Sequence, residues 1–152
     1  MNLVDYWSKN IPFSFEDDPQ TYEKKRKLRY DLHDYMRKVF RFDCFVGKNI
    51  LELGSGAGID AAEFARNGAK VTCVDFSPLA VKSTTNLLKE ANLHGRVLLV
   101  DCSSSLPFED GCFDVAYAFG VIHHIPNVEA VLKETVRVLR KDGLFMGMVY
   151  NK

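Results

Sequence analysis

A glycine-rich turn between an apolar run and a helical segment holds the residues with the clearest chemical potential. Gly54, Gly56 and Gly58 are spaced two apart, and Glu52 precedes the first of them by two positions. Glycine lets the backbone turn sharply and approach a ligand without a Cβ atom in the way. The helix that follows offers free N–H groups and the positive end of its dipole. These features predict a site for a nucleotide-like ligand with a polar or anionic portion.

The spacing of the glycines separates two kinds of nucleotide site. A dinucleotide-binding turn has the pattern G-x-G-x-x-G, which requires a third glycine where this chain has Ile59. The pattern here is E-x-G-x-G-x-G, and it resembles the first motif of class I S-adenosylmethionine-dependent methyltransferases. Nicotinamide-dependent oxidoreductases also have a strand, a glycine turn and a helix in this order, so this class stays an alternative. The residue at position 59 argues against it, because it is isoleucine and not the third glycine.

An acid at the end of the next predicted strand strengthens the prediction of a nucleotide site. Asp75 lies 21 residues after Gly54, where a β-α-β unit places a carboxylate beside a ribose, and a carboxylate can accept hydrogen bonds from both ribose hydroxyls. The alternative role is capping of the following helix. Ser77 and Pro78 already supply an N-cap and a first-turn proline, so we assign Asp75 to the ligand.

The resemblance to class I methyltransferases implies further contacts with S-adenosylmethionine and with its product, S-adenosylhomocysteine. Asp101 would meet the adenine amino group, and the main chain of Cys102 would meet a ring nitrogen. The glycine turn would hold the methionine portion, and Glu52 would orient its ammonium directly or through water. Main-chain atoms at Ala118 or Phe119 could also receive the amino group. The predicted cofactor-binding residues are Glu52, Gly54, Ser55, Gly56, Gly58, Asp75, Phe76, Asp101, Cys102 and Phe119.

A fourth segment makes the resemblance more specific. Residues 113–127, FDVAYAFGVIHHIPN, look very similar to the segment after strand four in small-molecule methyltransferases, a group that includes ubiquinone-biosynthesis enzymes. His123 and His124 are the candidate catalytic residues, because imidazole titrates near neutral pH and can act as a general base. One of them could instead cap the following turn. A zinc site that adds Cys112 is a weaker idea, because adjacent residues rarely point at one ion, and we predict no metal.

Other methyltransferase classes do not fit these residues. Enzymes that methylate amino groups of DNA resemble Asn/Asp-Pro-Pro-Tyr after strand four, where this chain has Ala118-Phe119-Gly120-Val121. Cytosine-C5 enzymes use a Pro-Cys nucleophile, and no Pro-Cys pair is present. The resemblance to the small-molecule group thus implies a small-molecule acceptor.

The elements that must position these residues form an α/β pattern. Strands are predicted at 49–53, 70–75, 97–100, 113–119 and 144–150. The resemblance implies a Rossmann-like, doubly wound sheet of about five parallel strands in the order 3-2-1-4-5. We predict a single methyltransferase-like domain, with an N-terminal arm and helix at 1–46 and a cofactor-binding core at 47–152.

The N-terminal 46 residues are predicted to hold an arm and one long helix. Aromatic residues and an acidic cluster in 1–20 suggest an arm that docks over the ligand. Its residues of interest are Tyr6, Trp7, Phe13, Phe15, Glu16, Asp17 and Asp18. Over 22–42, apolar residues at helical spacing predict one helix whose stripe packs on the sheet: Leu28, Leu32, Tyr35, Met36 and Val39. Its basic face indicates a solvated surface, with a nucleic-acid patch as the alternative.

The composition of the chain limits its partners and its compartment. The 152 residues include 20 basic and 20 acidic side chains, so the chain offers no strong field toward nucleic acid or an anionic membrane. No stretch is long and apolar enough for a membrane helix. The four cysteines form no C-x-x-C pair and are predicted to be buried thiols in a reducing compartment, which favours a cytoplasmic protein.

The predicted fold is incomplete by comparison with the family. Class I methyltransferases usually continue into a further helix and an antiparallel strand pair, whereas the resemblance here covers residues 47–150. We therefore expect a fragment of a longer protein, or a homodimer that pairs through the exposed edge of strand five. The alternative function is a truncated S-adenosylmethionine-binding module without independent catalytic activity.

Overall fold

Helices and strands alternate along most of the protein, for which a computed structural model describes residues 3–7, 9–12 and 22–150. The helices are α1 (Leu3–Trp7), α2 (Tyr22–Leu32), α3 (Met36–Phe40), α4 (Ile59–Arg66), α5 (Pro78–Glu90) and α6 (Val128–Val138). The strands are β1 (Asn49–Leu53), β2 (Lys70–Asp75), β3 (Gly95–Leu99), β4 (Phe113–Phe119) and β5 (Leu139–Met148). Short 3₁₀ helices cover Phe42–Phe45 and Ile122–His124.

The five strands form one parallel sheet in the order β3-β2-β1-β4-β5, which confirms the predicted order. Leu53 pairs with Val74, and Val74 pairs with Leu98, so the carboxyl ends of β1, β2 and β3 reach the same edge. The chain adds β2 and β3 on one side of β1, then crosses to the other side for β4. Open α/β sheets bind their ligands at the carboxyl edge where the strand order reverses in this way.

Apolar side chains cover both faces of the sheet, as expected for parallel strands. On one face, Phe64 of α4 and Leu87 of α5 belong to the same buried cluster as Tyr117 of β4. On the other face, Leu51 and Val74 share a cluster with Val131 of α6. The two clusters hold the carboxyl edge of the sheet in place, and this edge carries the predicted site.

The segment 22–42 does not form the single helix that its spacing predicts. A turn at 33–35 separates α2 from α3, and α3 is followed by Arg41, which has a left-handed φ of 46°. Because the turn breaks the helical phase, the predicted apolar stripe does not share one face. Leu32 is 62% exposed and Val39 is 63% exposed, whereas Met36 is fully buried. The predicted packing of the stripe on the sheet is therefore wrong except at Met36.

The buried face of α2 is instead polar and charged. Arg29 donates to both carboxylate oxygens of Asp60 on α4, at 2.6 and 3.3 Å. Asp60 also accepts hydrogen bonds from the hydroxyls of Tyr30 and Tyr117, each at 2.9 Å. Arg26, which lies one turn before Arg29 on α2, forms an ion pair with Glu63 of α4. The prediction that the basic face of α2 is solvated is wrong at these two arginines, which attach α2 to α4.

The C-terminal strand begins earlier than predicted. α6 ends at Val138 and β5 starts at Leu139, whereas the sequence predicted a strand only from Leu144. The pairing with β4 shifts register between Phe113 and Val115, because Val115 aligns with Leu144 only after four unpaired residues of β5. The bulge explains the difference, since Asp142-Gly143 reads locally as a turn.

Within the described ranges, no helix is both long and apolar enough to span a bilayer. Cys73 and Cys102 are buried as predicted, but Cys44 is exposed and Cys112 is only partly buried, so the prediction of four buried thiols is wrong at these two positions.

Candidate functional site

A cleft of about 420 Å³ opens at the carboxyl edge of the sheet. All ten residues predicted to bind the cofactor line it, and so does His124. His123 is absent from the lining, although its ring contacts that of His124, with the two ring centroids 4.0 Å apart. The topology thus brings together residues from the ends of β1, β2, β3 and β4 in one concave surface.

The glycine turn after β1 leaves no space for side chains at two of its positions. Gly54 has a φ of +71°, and an added Cβ atom would lie 2.5 Å from Cγ2 of Val121. Gly58 has a φ of +79°, and its Cβ would lie 2.8 Å from the Cα of Thr84 on α5. Thr84 also holds the turn, since its Oγ1 lies 3.0 Å from Ser55 Oγ and 3.1 Å from the Gly56 carbonyl oxygen. Glycine is required here by both conformation and packing.

We expect Gly58→Ala to destabilise the fold more than Gly47→Ala does. Gly47 has a φ of +73° but nothing within 4 Å of an added Cβ, so its substitution costs only the left-handed strain, about 1–2 kcal/mol. At Gly58 the contact with the Thr84 backbone adds about 1–3 kcal/mol. Urea unfolding of the two variants measures the difference. Equal losses would contradict the close packing at Thr84.

The carboxylate of Asp75 is buried at the end of β2 and already organises the turn. The Gly56 N–H donates to its Oδ2 at 3.0 Å, and the Ser77 N–H donates to its Oδ1 at 2.9 Å. Ser77 also caps α5, as its Oγ accepts from the Ala80 N–H. Burial raises the pKa of Asp75, whereas these backbone hydrogen bonds lower it. Because each oxygen can accept a second bond, Asp75 can serve the turn and a ligand together.

Glu52 lies in β1, two residues before Gly54, and is only 3% exposed. Cys73 Sγ donates to its Oε2 at 3.7 Å. Burial, followed by the charge of Asp60, raises the pKa of Glu52 well above its usual range. A buried carboxyl beside the cleft favours a cationic ligand group, which would stabilise its ionised form.

Asp101 and Cys102 continue the cleft beyond β3. Asp101 is exposed, and its Oδ1 accepts from the Ser103 N–H at 2.9 Å, so its side chain is fixed by its own loop. Cys102 is buried, and this burial raises the pKa of its thiol to about 11. The thiol is therefore un-ionised near neutral pH, in keeping with a role through the main chain.

Residues from the N-terminal segment also line the cleft, and among them the sequence assigned no binding role to Arg29 or His33. Arg29 and His33 reach it from α2 and from the turn after it, and Trp7 reaches it from α1. The Arg29 guanidinium lies 4.4 Å from the centroid of the Phe119 ring. The sequence contained little indication that Arg29 belongs to the cleft, because an arginine on a predicted helix normally indicates a solvated face.

The arm predicted at 1–20 is described in part. Trp7, Ile11 and Pro12 line the cleft, as expected for an arm that docks over a ligand. Tyr6 is exposed and stacks edge-on against Trp7, with ring centroids 4.9 Å apart. Phe13, Phe15 and the acidic cluster lie outside the described residues.

The two histidines differ in position. His124 lines the cleft with its ring 5.0 Å from that of Trp7, and burial together with the neighbouring His123 lowers its pKa. Cys112 lies before β4 and both histidines follow it, about 23 Å away along a seven-residue strand, so these three residues do not form the zinc site considered above. In the part of the chain that the structure describes, no group of three or more His, Cys, Asp or Glu residues could hold a metal ion.

Comparisons with known proteins agree with this geometry. A family described as "methyltransferase domain" matches residues 51–147. Sterol 4-C-methyltransferase strm-1 of Caenorhabditis elegans is 37% identical over 98 residues, which are 63% of this chain and 29% of that protein. The mitochondrial ubiquinone biosynthesis O-methyltransferase of Schizosaccharomyces pombe is 35% identical over 115 residues, 72% of this chain and 41% of that protein.

A solved structure shares the fold over a similar extent. The crystal structure of the YcgJ protein from Bacillus subtilis superposes with a TM-score of 0.69 at 27% identity, covering 76% of this chain and 49% of that one. The chain therefore spans less than half the length of each of these three proteins.

Proposed function

Because the chain belongs to the methyltransferase domain family and has the class I strand order, we propose that it binds S-adenosylmethionine and transfers a methyl group to a small-molecule acceptor. The observation that carries this proposal is the single cleft into which β1, β2 and β3 each deliver a carboxyl group, at Glu52, Asp75 and Asp101. Neighbouring strands lie about 4.8 Å apart, so the three groups span about 10 Å. An extended ligand with an ammonium, a ribose and a base fits such a row.

Each part of the row has a matching ligand group. Glu52 holds the ammonium, Asp75 accepts from the ribose hydroxyls, and Asp101 with the main chain of Cys102 binds the adenine, against which Phe76 packs. The glycine turn lets its backbone approach the methionine portion. Arg29, held by Asp60, places a cation at the same cleft, suitable for the carboxylate of that portion. When bound, S-adenosylmethionine supplies the methyl group as an electrophile on a sulfonium.

The residues of the cleft then have two tasks, which are to align the acceptor with the methyl group and to remove a proton from the acceptor. The cleft walls position the acceptor and exclude water, which is the main requirement of an in-line displacement. His124 has a lowered pKa, so its imidazole is neutral near neutral pH and can accept a proton from an acceptor hydroxyl. His123 acts through His124, since its ring packs against that ring and lies outside the cleft lining.

Calorimetric titration tests the cofactor part of the proposal. We expect S-adenosylmethionine and S-adenosylhomocysteine to bind the folded chain with micromolar affinity, and NAD to give no heat of binding. NAD binding without the other two would favour the oxidoreductase alternative. The named relatives act on a sterol and in ubiquinone biosynthesis, which supports testing apolar ring-containing acceptors first.

The alternative is a binding module without independent activity, and one observation favours it. The matched region covers 29% and 41% of the length of the two named curated relatives, so the activity of those whole proteins is not matched in full by this chain. If S-adenosylhomocysteine binds, an activity assay distinguishes the enzyme from the binding module. Methyl transfer to a panel of acceptors then supports the enzyme, and its absence from the whole panel supports the module.

We expect Glu52→Gln to weaken S-adenosylhomocysteine binding by tenfold or more, about the value of a hydrogen bond to a charged group. Burial raises the pKa of Glu52 in the folded state above its value in the unfolded state. As the pH rises above the unfolded-state pKa, Glu52 ionises in the unfolded chain before it does so in the fold, and the free energy of unfolding of the wild type falls. The Tm of the variant relative to wild type should therefore increase from pH 5 to pH 8. Wild-type affinity should rise over the same interval, and that of the variant should not.

Glu109→Gln is the matched control for this experiment, because Glu109 is an exposed loop residue outside the cleft lining. It should leave both affinity and the pH dependence of Tm unchanged. A Glu52→Gln variant that loses stability without losing affinity would remove Glu52 from the cofactor site.

We also propose that the chain forms homodimers through β5. This strand is last in the sheet order, and Leu144 on it is exposed. An exposed edge strand with apolar residues is a template for pairing with another chain. Sedimentation velocity should give a concentration-dependent dimer that Leu144→Lys shifts to monomer. Val136→Lys, at an exposed position of α6, should leave the dimer intact. A wild-type chain that stays monomeric at all concentrations would exclude this dimer.

A further inference from the structure

The cleft has two ends of different chemistry. The carboxyl groups lie at the ends of β1, β2 and β3, whereas aromatic rings line the end formed by the arm and by the residues after β4 and β5. Four rings form a continuous row at this second end, which we call the ring wall: Trp7, His124, His123 and Tyr150. Trp7, His124 and Tyr150 line the cleft, and His123 contacts the rings of His124 and Tyr150 without lining the cleft itself.

Successive rings of the wall are in contact. The ring centroids of Trp7 and His124 are 5.0 Å apart, and those of His124 and His123 are 4.0 Å apart. His123 meets Tyr150 edge-on, with centroids 5.1 Å apart and an interplanar angle of 90°. Aromatic side chains packed at such distances favour a further ring in offset or edge-on contact. The wall is thus suited to a planar ligand.

The ring wall also concentrates the unpaired polar atoms of the described structure. Over residues 3–7, 9–12 and 22–150, the buried side-chain nitrogens and oxygens without a hydrogen-bond partner are Trp7 Nε1, His123 Nδ1 and His123 Nε2. Buried polar atoms are normally paired, and a group of unpaired ones requires an explanation. The indole Nε1 only donates hydrogen bonds, so its missing partner must be an acceptor atom such as oxygen.

We infer that the ring wall is the acceptor subsite, and that the methyl acceptor is a planar ring compound with an oxygen that receives a hydrogen bond from Trp7 Nε1. This inference rests on the proposed function and adds the chemical class of the substrate. Trp7 is then a specificity-determining residue supplied by the arm. Arg29, whose guanidinium lies over Phe119 in the same cleft, disfavours a cationic acceptor.

The chain offers a direct probe of this contact, because Trp7 is its single tryptophan. The indole N–H of a uniformly ¹⁵N-labelled sample therefore gives one NMR cross-peak. We would saturate the chain with S-adenosylhomocysteine and titrate three probes: 2-naphthol, which has rings and an oxygen; naphthalene, which lacks the oxygen; and cyclohexanol, which lacks the planar ring.

We expect 2-naphthol to bind tightest and to move the indole N–H peak downfield, as a new hydrogen bond requires. Naphthalene should bind more weakly without that downfield shift, and cyclohexanol should not perturb the peak. Trp7→Phe should weaken 2-naphthol binding about 3- to 10-fold, the value of one neutral hydrogen bond, and leave naphthalene binding nearly unchanged. Trp7→Leu should weaken both.

Val136→Ala is the control, because Val136 is exposed on α6 and does not line the cleft. It should leave binding of both probes as in wild type. An indole peak that 2-naphthol does not move, or equal 2-naphthol affinity of wild type and Trp7→Phe, overturns the inference. If S-adenosylhomocysteine gives no calorimetric binding to the folded chain, the proposed function fails, and the inference that rests on it fails also.

Discussion

Replacing Asp75 with Asn should lower the affinity for S-adenosylhomocysteine about 100-fold. The carboxylate would accept two hydrogen bonds from the ribose, and hydrogen bonds to a charged group contribute about 1.5–3 kcal/mol each. The amide retains one acceptor oxygen, which must be shared with the N–H groups of Gly56 and Ser77. Calorimetric titration gives the affinity directly.

A ligand comparison separates the ribose contact from the effect on the turn. An S-adenosylhomocysteine analogue without the two ribose hydroxyls should bind wild type and Asp75→Asn about equally. If the variant weakens this analogue as strongly as the natural ligand, Asp75 acts only through the glycine turn. Asp142→Asn, at an exposed position of β5, is the control and should change neither affinity.

Asp60→Asn should cost the fold about 3–5 kcal/mol, the usual penalty for removing one partner of a buried ion pair. The substitution leaves Arg29 facing a neutral amide, and it disturbs the acceptors of the Tyr30 and Tyr117 hydroxyls. Burial raises the pKa of both tyrosines well above the usual range, so they remain donors and cannot supply the missing negative charge. Urea unfolding measures the loss.

Asp31→Asn gives the matched control for a surface ion pair. Asp31 pairs with Lys27 across one turn of α2, and both side chains are exposed. Such pairs contribute about 0–1 kcal/mol. Similar losses for the two variants would show that the contact between α2 and α4 contributes no more than a surface pair does.

The sequence predicted the sheet well, because its strands carry a strong local signal. β1, β2 and β4 have the predicted bounds, since each is a short, mostly apolar run that is covered on both faces of the sheet. The predicted strand order then placed Asp75 and Asp101 at one edge of the sheet, and the cleft contains both.

The N-terminal helices were harder to predict, because their buried face is not apolar. Periodicity assigns burial to leucine and valine, so it placed Leu32 and Val39 inside and Arg29 outside. The partner that makes burial of Arg29 favourable, Asp60, lies 31 residues further along the chain. A local pattern contains no information about such a pairing, and for the same reason Arg29 was missed as a residue of the cleft.

The hydrogen bonds from Gly56 and Ser77 to Asp75 have a further consequence for the course of ligand binding. These hydrogen bonds hold the glycine turn in one conformation before the ligand binds. The backbone entropy of the turn is therefore lost on folding and does not reduce the free energy of binding. Association at this part of the cleft then needs no slow rearrangement, and its rate constant should stay near that of simple diffusional docking. The heat-capacity change on binding should likewise report the surface that the ligand itself buries.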